Sequence, residues 1–419
     1  MLWVLLALAL TRGLLYATLN PPLASPDERS HMDYVASVAA AYTEPGLIWA
    51  SDRYEQAMRG EEGHQPQPYY LLMVPAFLLA QGGDEGTRNL AVRLSSLPFL
   101  AAIVLLTWLA GRRLAPKNLS VAVLATSMVA LHPQLAYVTA SANNDAAANV
   151  MGAVITYLLV TLVAKPRRWV FVGLLVSIGV GLMTKGQLLP VVGIAAVTAV
   201  LRLMPRAGVT AQQKAVVVMA LVLVVVIPLG GTSEGAWLLK RTSDTLVFLG
   251  GSQGAMQTAS RTGPDPLYYE FYSFWAAFIG ESVRPASAAY VLPASIVGVG
   301  LLGSVWNLLA NRRVLGEIQR RTQLCILLLG GIIAAQWLAL YIFYLSNVFR
   351  GFAWDLQVLQ GRYLFVVVVP LSLLVAAGWT RILGDRARTI GVATVLSLLA
   401  AFDVASLMAL ASHYGWPLG

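Results

Sequence analysis

The strongest constraint on this chain is a succession of apolar runs, each long enough to cross about 30 Å of hydrocarbon. They fall near residues 2–18, 90–110, 118–140, 146–164, 168–184, 187–204, 214–231, 287–309, 323–346, 363–383 and 388–411, which predicts about eleven membrane-spanning helices. A water-soluble globule is excluded, because the chain is 58% hydrophobic and 12% charged, whereas soluble domains carry about a quarter charged residues. The expected fold class is therefore an all-α integral membrane protein, with residues 1–419 forming a single polytopic domain. The one cysteine, Cys325, lies inside an apolar run, so neither a disulfide framework nor a cysteine-rich metal site is open to this chain.

A formal charge of +9 suggests a nucleic-acid partner until the basic residues are located. More than half of them sit in short connections, at Arg112, Arg113 and Lys117, at Lys165, Arg167 and Arg168, and at Arg202, Arg206 and Lys214, then at Arg312, Arg313, Arg320 and Arg321, and at Arg381, Arg386 and Arg388. Short basic loops face the cytoplasm. The pattern predicts a multi-pass inner-membrane protein with its N-terminus inside and two long outer loops, residues 19–89 and 232–286. Counting Tyr69 to Ala80 as a further span would reverse every later loop. That run contains Pro75 and at twelve residues reaches only about 18 Å, so it reads as a half-helix at the outer face. The first helix reads as a retained span rather than a cleaved signal peptide, since it lacks a basic leading region.

Several motifs carry no chemistry. Gly298-Val-Gly300-Leu-Leu-Gly303 fits a dinucleotide pattern, but inside an apolar helix it points to close helix packing. The four histidines lack metalloprotease spacing. Asn118-Leu-Ser120 matches a glycosylation sequon yet falls in an inner loop.

The outer face holds the candidates. Directly after the first helix comes PDERSHMDY, with Asp27, Glu28 and His31. Carboxylates at the headgroup plane suit a general base or a divalent cation, and also an ordinary solvated loop. Asn143-Asn144-Asp145 opens the fourth span, where a helix cap is the simpler reading. Lys185 in Met183-Thr184-Lys185-Gly186 stands between two otherwise uncharged runs, placed to snorkel to headgroups or to hold a phosphate. Arg350 and Arg362 occur in an outer segment where arginine is unexpected. With Lys185 they suggest an anion site for a lipid phosphate at the membrane surface.

The ordered set PDERSHMDY, GHQPQPYYLL, NND, MTKG and QGRYL resembles the GT-C superfamily of polytopic glycosyltransferases, near the protein O-mannosyltransferases and the lipid A aminoarabinose transferases. The resemblance implies a polyprenyl-phosphate sugar donor and a glycan, lipid or protein acceptor at the outer face. It implies a catalytic role for Asp27, with Asp145 the second acidic position and Glu28 beside them. His64, Gln65 and Tyr69 fall in the segment near the family's active site, although Pro66-Gln67-Pro68 replaces the usual Pro-Pro-Leu. Donor phosphate would meet Lys185, Arg350 and Arg362, and substrate would meet His31, His64, Gln65, Tyr69 and Asn144. No cofactor is required by this reading, and the carboxylates leave a divalent metal possible. Two rivals remain open: a transporter or flippase of an anionic lipid, and a non-catalytic envelope-assembly scaffold.

Overall fold

A computed structural model describes residues 1–43, 62–63, 65–203, 266–279, 282–309, 317–349 and 359–415. The expected span at 214–231, most of the second long loop, His64 and Arg350 lie outside the described residues. In chain order the helices are α1 (Leu2–Leu19), α2 (Glu28–Thr43), α3 (Pro68–Leu79), α4 (Glu85–Leu114), α5 (Leu119–Ala130), α6 (Pro133–Thr139), α7 (Asp145–Ala164), α8 (Arg168–Leu182), α9 (Leu189–Leu203), α10 (Pro266–Trp275), α11 (Val291–Leu309), α12 (Glu317–Phe349) and α13 (Val368–His413). Two short 3₁₀ segments, Gly186–Leu188 and Gly361–Val367, lead into α9 and α13.

Among the described residues seven helical segments are long and apolar enough to span a membrane. Two of them are the halves of α13, which meet at Gly384, where φ is +60°. Only glycine adopts that conformation freely. The expected run 118–140 is a broken span, in which α5 and α6 meet at 59°. Pro133 has no N–H to continue α5, and His132 caps α6 by accepting from the Leu135 N–H at 3.3 Å. The runs at 168–184 and 187–204 form helices of 15 residues each, which reach about 22 Å. The break between them falls at Lys185, as the sequence predicts, and α9 is described as far as Leu203. α3 is the expected half-helix, with Pro75 inside it.

Close packing explains the glycine motif. A Cβ on Gly300 would strike the Val375 backbone, one on Gly303 would strike the Gly378 carbonyl, and one on Gly378 would strike the Gly300 carbonyl, so α11 and α13 touch backbone to backbone. Gly298 faces open space. Deep in the bundle Arg12 of α1 pairs with Asp403 of α13 and also donates to the Ala130 carbonyl. A charge in hydrocarbon needs such a partner, and this pair ties the first helix to the last.

The first long loop is packed against the bundle. Met32, Tyr34, Val35 and Val38 of α2 share a buried cluster with Tyr69, Tyr70, Met73 and Phe77 of α3, and with Val92, Ala142 and Ala147 of the membrane domain. That contact fixes residues 20–43 over the end of the bundle where α7 begins.

Candidate active site

Four charged side chains from distant parts of the sequence meet at that end. Three prolines, Pro21, Pro22 and Pro26, turn the chain out of α1, and Asp27 follows with φ of +58°. Aspartate is one of the few residues that tolerates the left-handed region, at about 1–3 kcal/mol of strain. Asp145 is the first residue of α7, its N–H bonded to Asn143 Oδ1 at 2.8 Å, where the helix N-terminus favours a carboxylate. Lys185 stands in the break between α8 and α9. Arg362 sits in the 3₁₀ segment before α13, whose entry is pinned by Gly361: its N–H donates to Ser273 Oγ at 2.8 Å, and a Cβ there would strike the Phe274 backbone of α10.

Lys185 Nζ donates to Asp145 Oδ1 at 2.6 Å and to Asn144 Oδ1 at 2.9 Å. Arg362 Nη2 donates to Asp27 Oδ2, and its Nε lies 3.9 Å from Asp145 Oδ2. The Tyr363 ring lies 5.2 Å from the guanidinium and 6.0 Å from the ammonium, within cation–π range. Two cations and two carboxylates therefore alternate, and both described cations of the expected anion site face a carboxylate. Capacity for a ligand nonetheless remains. Among the described residues Asp145 Oδ2, Arg362 Nε and Arg362 Nη1 are buried without a hydrogen-bond partner. The Asp27 side chain is 51% exposed, against 0% for Asp145 and 6% for Arg362, so the site opens at Asp27.

The charges set the protonation states. Burial opposes ionisation of Asp27, but Arg362, through its charge and hydrogen bond, holds the carboxyl below its ordinary value. Burial likewise opposes the Lys185 ammonium, and the Asp145 carboxylate outweighs it, raising the lysine. His31 is pushed down to about 3, first by burial and then by the charge of Lys185. It is neutral at physiological pH and bonded through Nδ1 to the Tyr70 hydroxyl at 2.8 Å.

Other expected site residues are placed differently. Glu28 is fully buried. Oε1 accepts from Arg93 Nε at 2.8 Å and from the Ala142 N–H at 3.0 Å, while Oε2 accepts from Arg93 Nη2 at 2.6 Å and from the Ser25 N–H at 3.3 Å. Arg93 spends its remaining N–H groups on the carbonyls of Ala17, Asn20 and Pro21. All four acceptor directions of Glu28 are thus taken, and the side chain fastens the 20–28 turn and the Ala142 loop to α4. Tyr69 is buried, with its hydroxyl against Ser96 Oγ at 3.3 Å and the Asn143 N–H. Gln65 stays at the site edge, where its Oε1 accepts from Asn144 Nδ2 at 2.9 Å. Arg93 escaped the sequence reading, although a lone arginine within an apolar run is itself a signal. No group of three or more metal-ligating side chains gathers among the described residues.

Comparison with known proteins locates this architecture. Along 97% of its length the chain superposes on ArnT from Cupriavidus metallidurans bound to undecaprenyl phosphate, covering 75% of that chain at a TM-score of 0.52 and 14% identity. The chain shares the fold of that protein. Residues 70–230 match the family of dolichyl-phosphate-mannose-protein mannosyltransferases. That stretch includes Asp145 and Lys185 and begins after Asp27. No curated protein matches the chain.

Proposed function

We propose that this GT-C protein transfers a sugar from a polyprenyl-phosphate donor to a hydroxyl acceptor at the outer face of the inner membrane. The observation that carries the reading is the centre itself: an ionised, half-exposed Asp27 on an arginine whose Nε and Nη1 have no hydrogen-bond partner among the described residues. The undecaprenyl phosphate of the structurally similar ArnT supports the lipid class, and the match to a dolichyl-phosphate-mannose family supports a lipid-phosphate sugar.

In this mechanism the acceptor hydroxyl oxygen attacks the anomeric carbon from the face opposite the phosphate, and the bond from that carbon to the phosphate oxygen breaks. Configuration inverts. Polyprenyl phosphate departs as an anion and needs positive charge rather than a proton, which Lys185 and Arg362 supply. Arg350, outside the described residues, is the third proposed phosphate contact. The hydroxyl proton passes to Asp27. A carboxylate held this low is a weak base, since general bases work best near the operating pH. Donor phosphate on Arg362 shares the guanidinium and loosens its hold, so Asp27 gains basicity only when donor is bound. Asn144 and Gln65 border the opening where acceptor enters, with neutral His31 behind them and His64 close in sequence.

The test is turnover of a panel of polyprenyl-phosphate sugars by the purified protein in lipid, followed by mass spectrometry. Loss of sugar from one lipid, with the sugar recovered on a hydroxyl acceptor in inverted configuration, supports the proposal. Binding without turnover across the panel, with lipid moved between leaflets, replaces it with the transporter reading.

A further inference from the structure

One helical turn beyond the charged centre lies a second set of polar groups that the mechanism above leaves unused. Asn149 follows Asp145 by four residues on α7, so the two share a face. It is completely buried, and neither Oδ1 nor Nδ2 has a partner among the described residues. Gln187 follows Lys185 by two residues, in the 3₁₀ turn Gly186–Leu188, and both its Oε1 and Nε2 are likewise buried and unpartnered. Gln336 of α12 donates Nε2 to the carbonyl of Tyr363, the residue after Arg362, at 3.2 Å, which leaves its Oε1 unpartnered.

The elements that carry these three amides pack on one another. The Gly186–Leu188 turn packs on both α7 and the Gly361–Val367 segment, and α12 packs on the same two elements. Ala148, Leu188, Ile332 and Val366, one from each of these four elements, belong to one buried apolar cluster. Each amide is thus tied by sequence or by hydrogen bond to a different member of the charged centre: Asp145, Lys185 and the Arg362 segment. Buried polar atoms are almost always satisfied, so a local concentration of orphans calls for an occupant.

The orphan inventory selects the occupant. Three acceptors, Asn149 Oδ1, Gln187 Oε1 and Gln336 Oε1, stand with two amide donors, and Asp145 Oδ2 adds a fourth acceptor. For Asn149 and Gln187 both ends are free, so the count survives an amide flip. A phosphate diester has no hydrogen to donate and cannot satisfy the acceptors. A hydroxyl group donates one hydrogen bond and accepts others, which fits a polyhydroxylated ring.

We infer that Asn149, Gln187 and Gln336 form a neutral amide subsite that binds the hydroxyl groups of the sugar to be transferred, next to the Asp145–Lys185–Arg362 centre. The inference rests on the glycosyltransferase reading for the identity of the ring as donor sugar. It separates the labour of the pocket: cations for the lipid phosphate, uncharged amides for the sugar, and hence for sugar selectivity.

The experiment compares equilibrium binding of sugar-free polyprenyl phosphate with that of polyprenyl-phosphate hexoses and their deoxy analogues. Wild type is set beside the near-isosteric variants Asn149→Leu, Gln187→Met and Gln336→Met, each checked for an unchanged melting temperature. Wild type should bind at least one hexose-bearing lipid more tightly than the sugar-free lipid. A site built to bond a hydroxyl discriminates strongly against its absence, so Gln187→Met and Asn149→Leu should each reduce that preference about tenfold. Their affinity for the sugar-free lipid should stay within about twofold. The inference is overturned if no hexose improves wild-type binding, or if the preference persists in the variants. It is equally overturned if sugar-free lipid weakens in step, which would assign the amides to the phosphate. A change in melting temperature with the preference intact would assign them to structural water. Sugar preference without turnover would sink the enzyme reading and leave the subsite standing, whereas turnover with selectivity unmoved would do the reverse.

Discussion

Asp27 and Glu28 are adjacent in sequence and chemically alike, yet they belong to two different kinds of site. Glu28 meets Arg93 in a closed clamp, where both carboxylate oxygens accept two hydrogen bonds and all five arginine N–H groups are engaged. Asp27 meets Arg362 in an open centre, where the aspartate is half-exposed and the guanidinium keeps two nitrogens unpartnered among the described residues. The same ion pair is closed architecture when its hydrogen bonds are complete, and it keeps capacity for a ligand when they are not. Completeness of satisfaction, rather than residue type or position in the chain, distinguishes them.

The comparison breaks most visibly at the clamp. Removing one partner of a buried pair leaves an uncompensated charge, at about 3–5 kcal/mol. Arg93→Met should therefore lower stability by that order, read as an unfolding midpoint in lipid or detergent. The double variant Glu28→Gln with Arg93→Met should recover part of the loss. If the single change leaves stability intact, the clamp is not structural.

Lys185→Met probes the open centre. Asp145 retains Arg362 at 3.9 Å, so stability should fall less than in Arg93→Met. Turnover should drop about 10²-fold, the usual scale for losing one preorganised charge at a leaving group. Equal destabilisation of the two variants would erase the distinction between clamp and centre.

A third carboxylate sharpens the comparison from the opposite direction, because among the described residues no cation pairs with it. Glu270 of α10 accepts from the Trp337 indole at 2.9 Å through Oε2, and its Oε1 is unpartnered among the described residues. Burial raises its pKa to about 7. Its folded value lies above its unfolded one, so the folded state binds the proton more tightly and stability falls as pH rises from about 4.5 to about 7. Glu270→Gln should stabilise the protein at pH 8, by on the order of 2 kcal/mol, and have little effect at pH 4. A pH-independent difference between variant and wild type would contradict the assignment.

Much of the membrane architecture is legible in the sequence, because hydrocarbon thickness imposes a length on each apolar run. The half-helix at Pro68–Leu79, the first and last spans and the role of Gly300 and Gly303 all follow from length, proline and close packing. The bend between α5 and α6 and the shortness of α8 do not. Apolar content is blind to a break at His132-Pro133, where the helix stops while hydrophobicity continues. At the site, sequence brings Asp27, Asp145, Lys185 and Arg362 to one face of the membrane. It does not say which cation meets which carboxylate, since Asp27 and Arg362 are 335 residues apart. Nor does it separate Asp27 from Glu28: their different fates depend on Arg93, which comes from another helix.

The most direct test of the account is the initial rate of sugar loss from a donor that wild type turns over, measured for Asp27→Asn at saturating donor. Asparagine tolerates the positive φ at this position and keeps the shape while removing the charge. The account predicts a rate about 10²–10⁴-fold below wild type, with donor affinity and melting temperature nearly unchanged. Turnover close to wild type would contradict it, and would remove Asp27 from the chemistry.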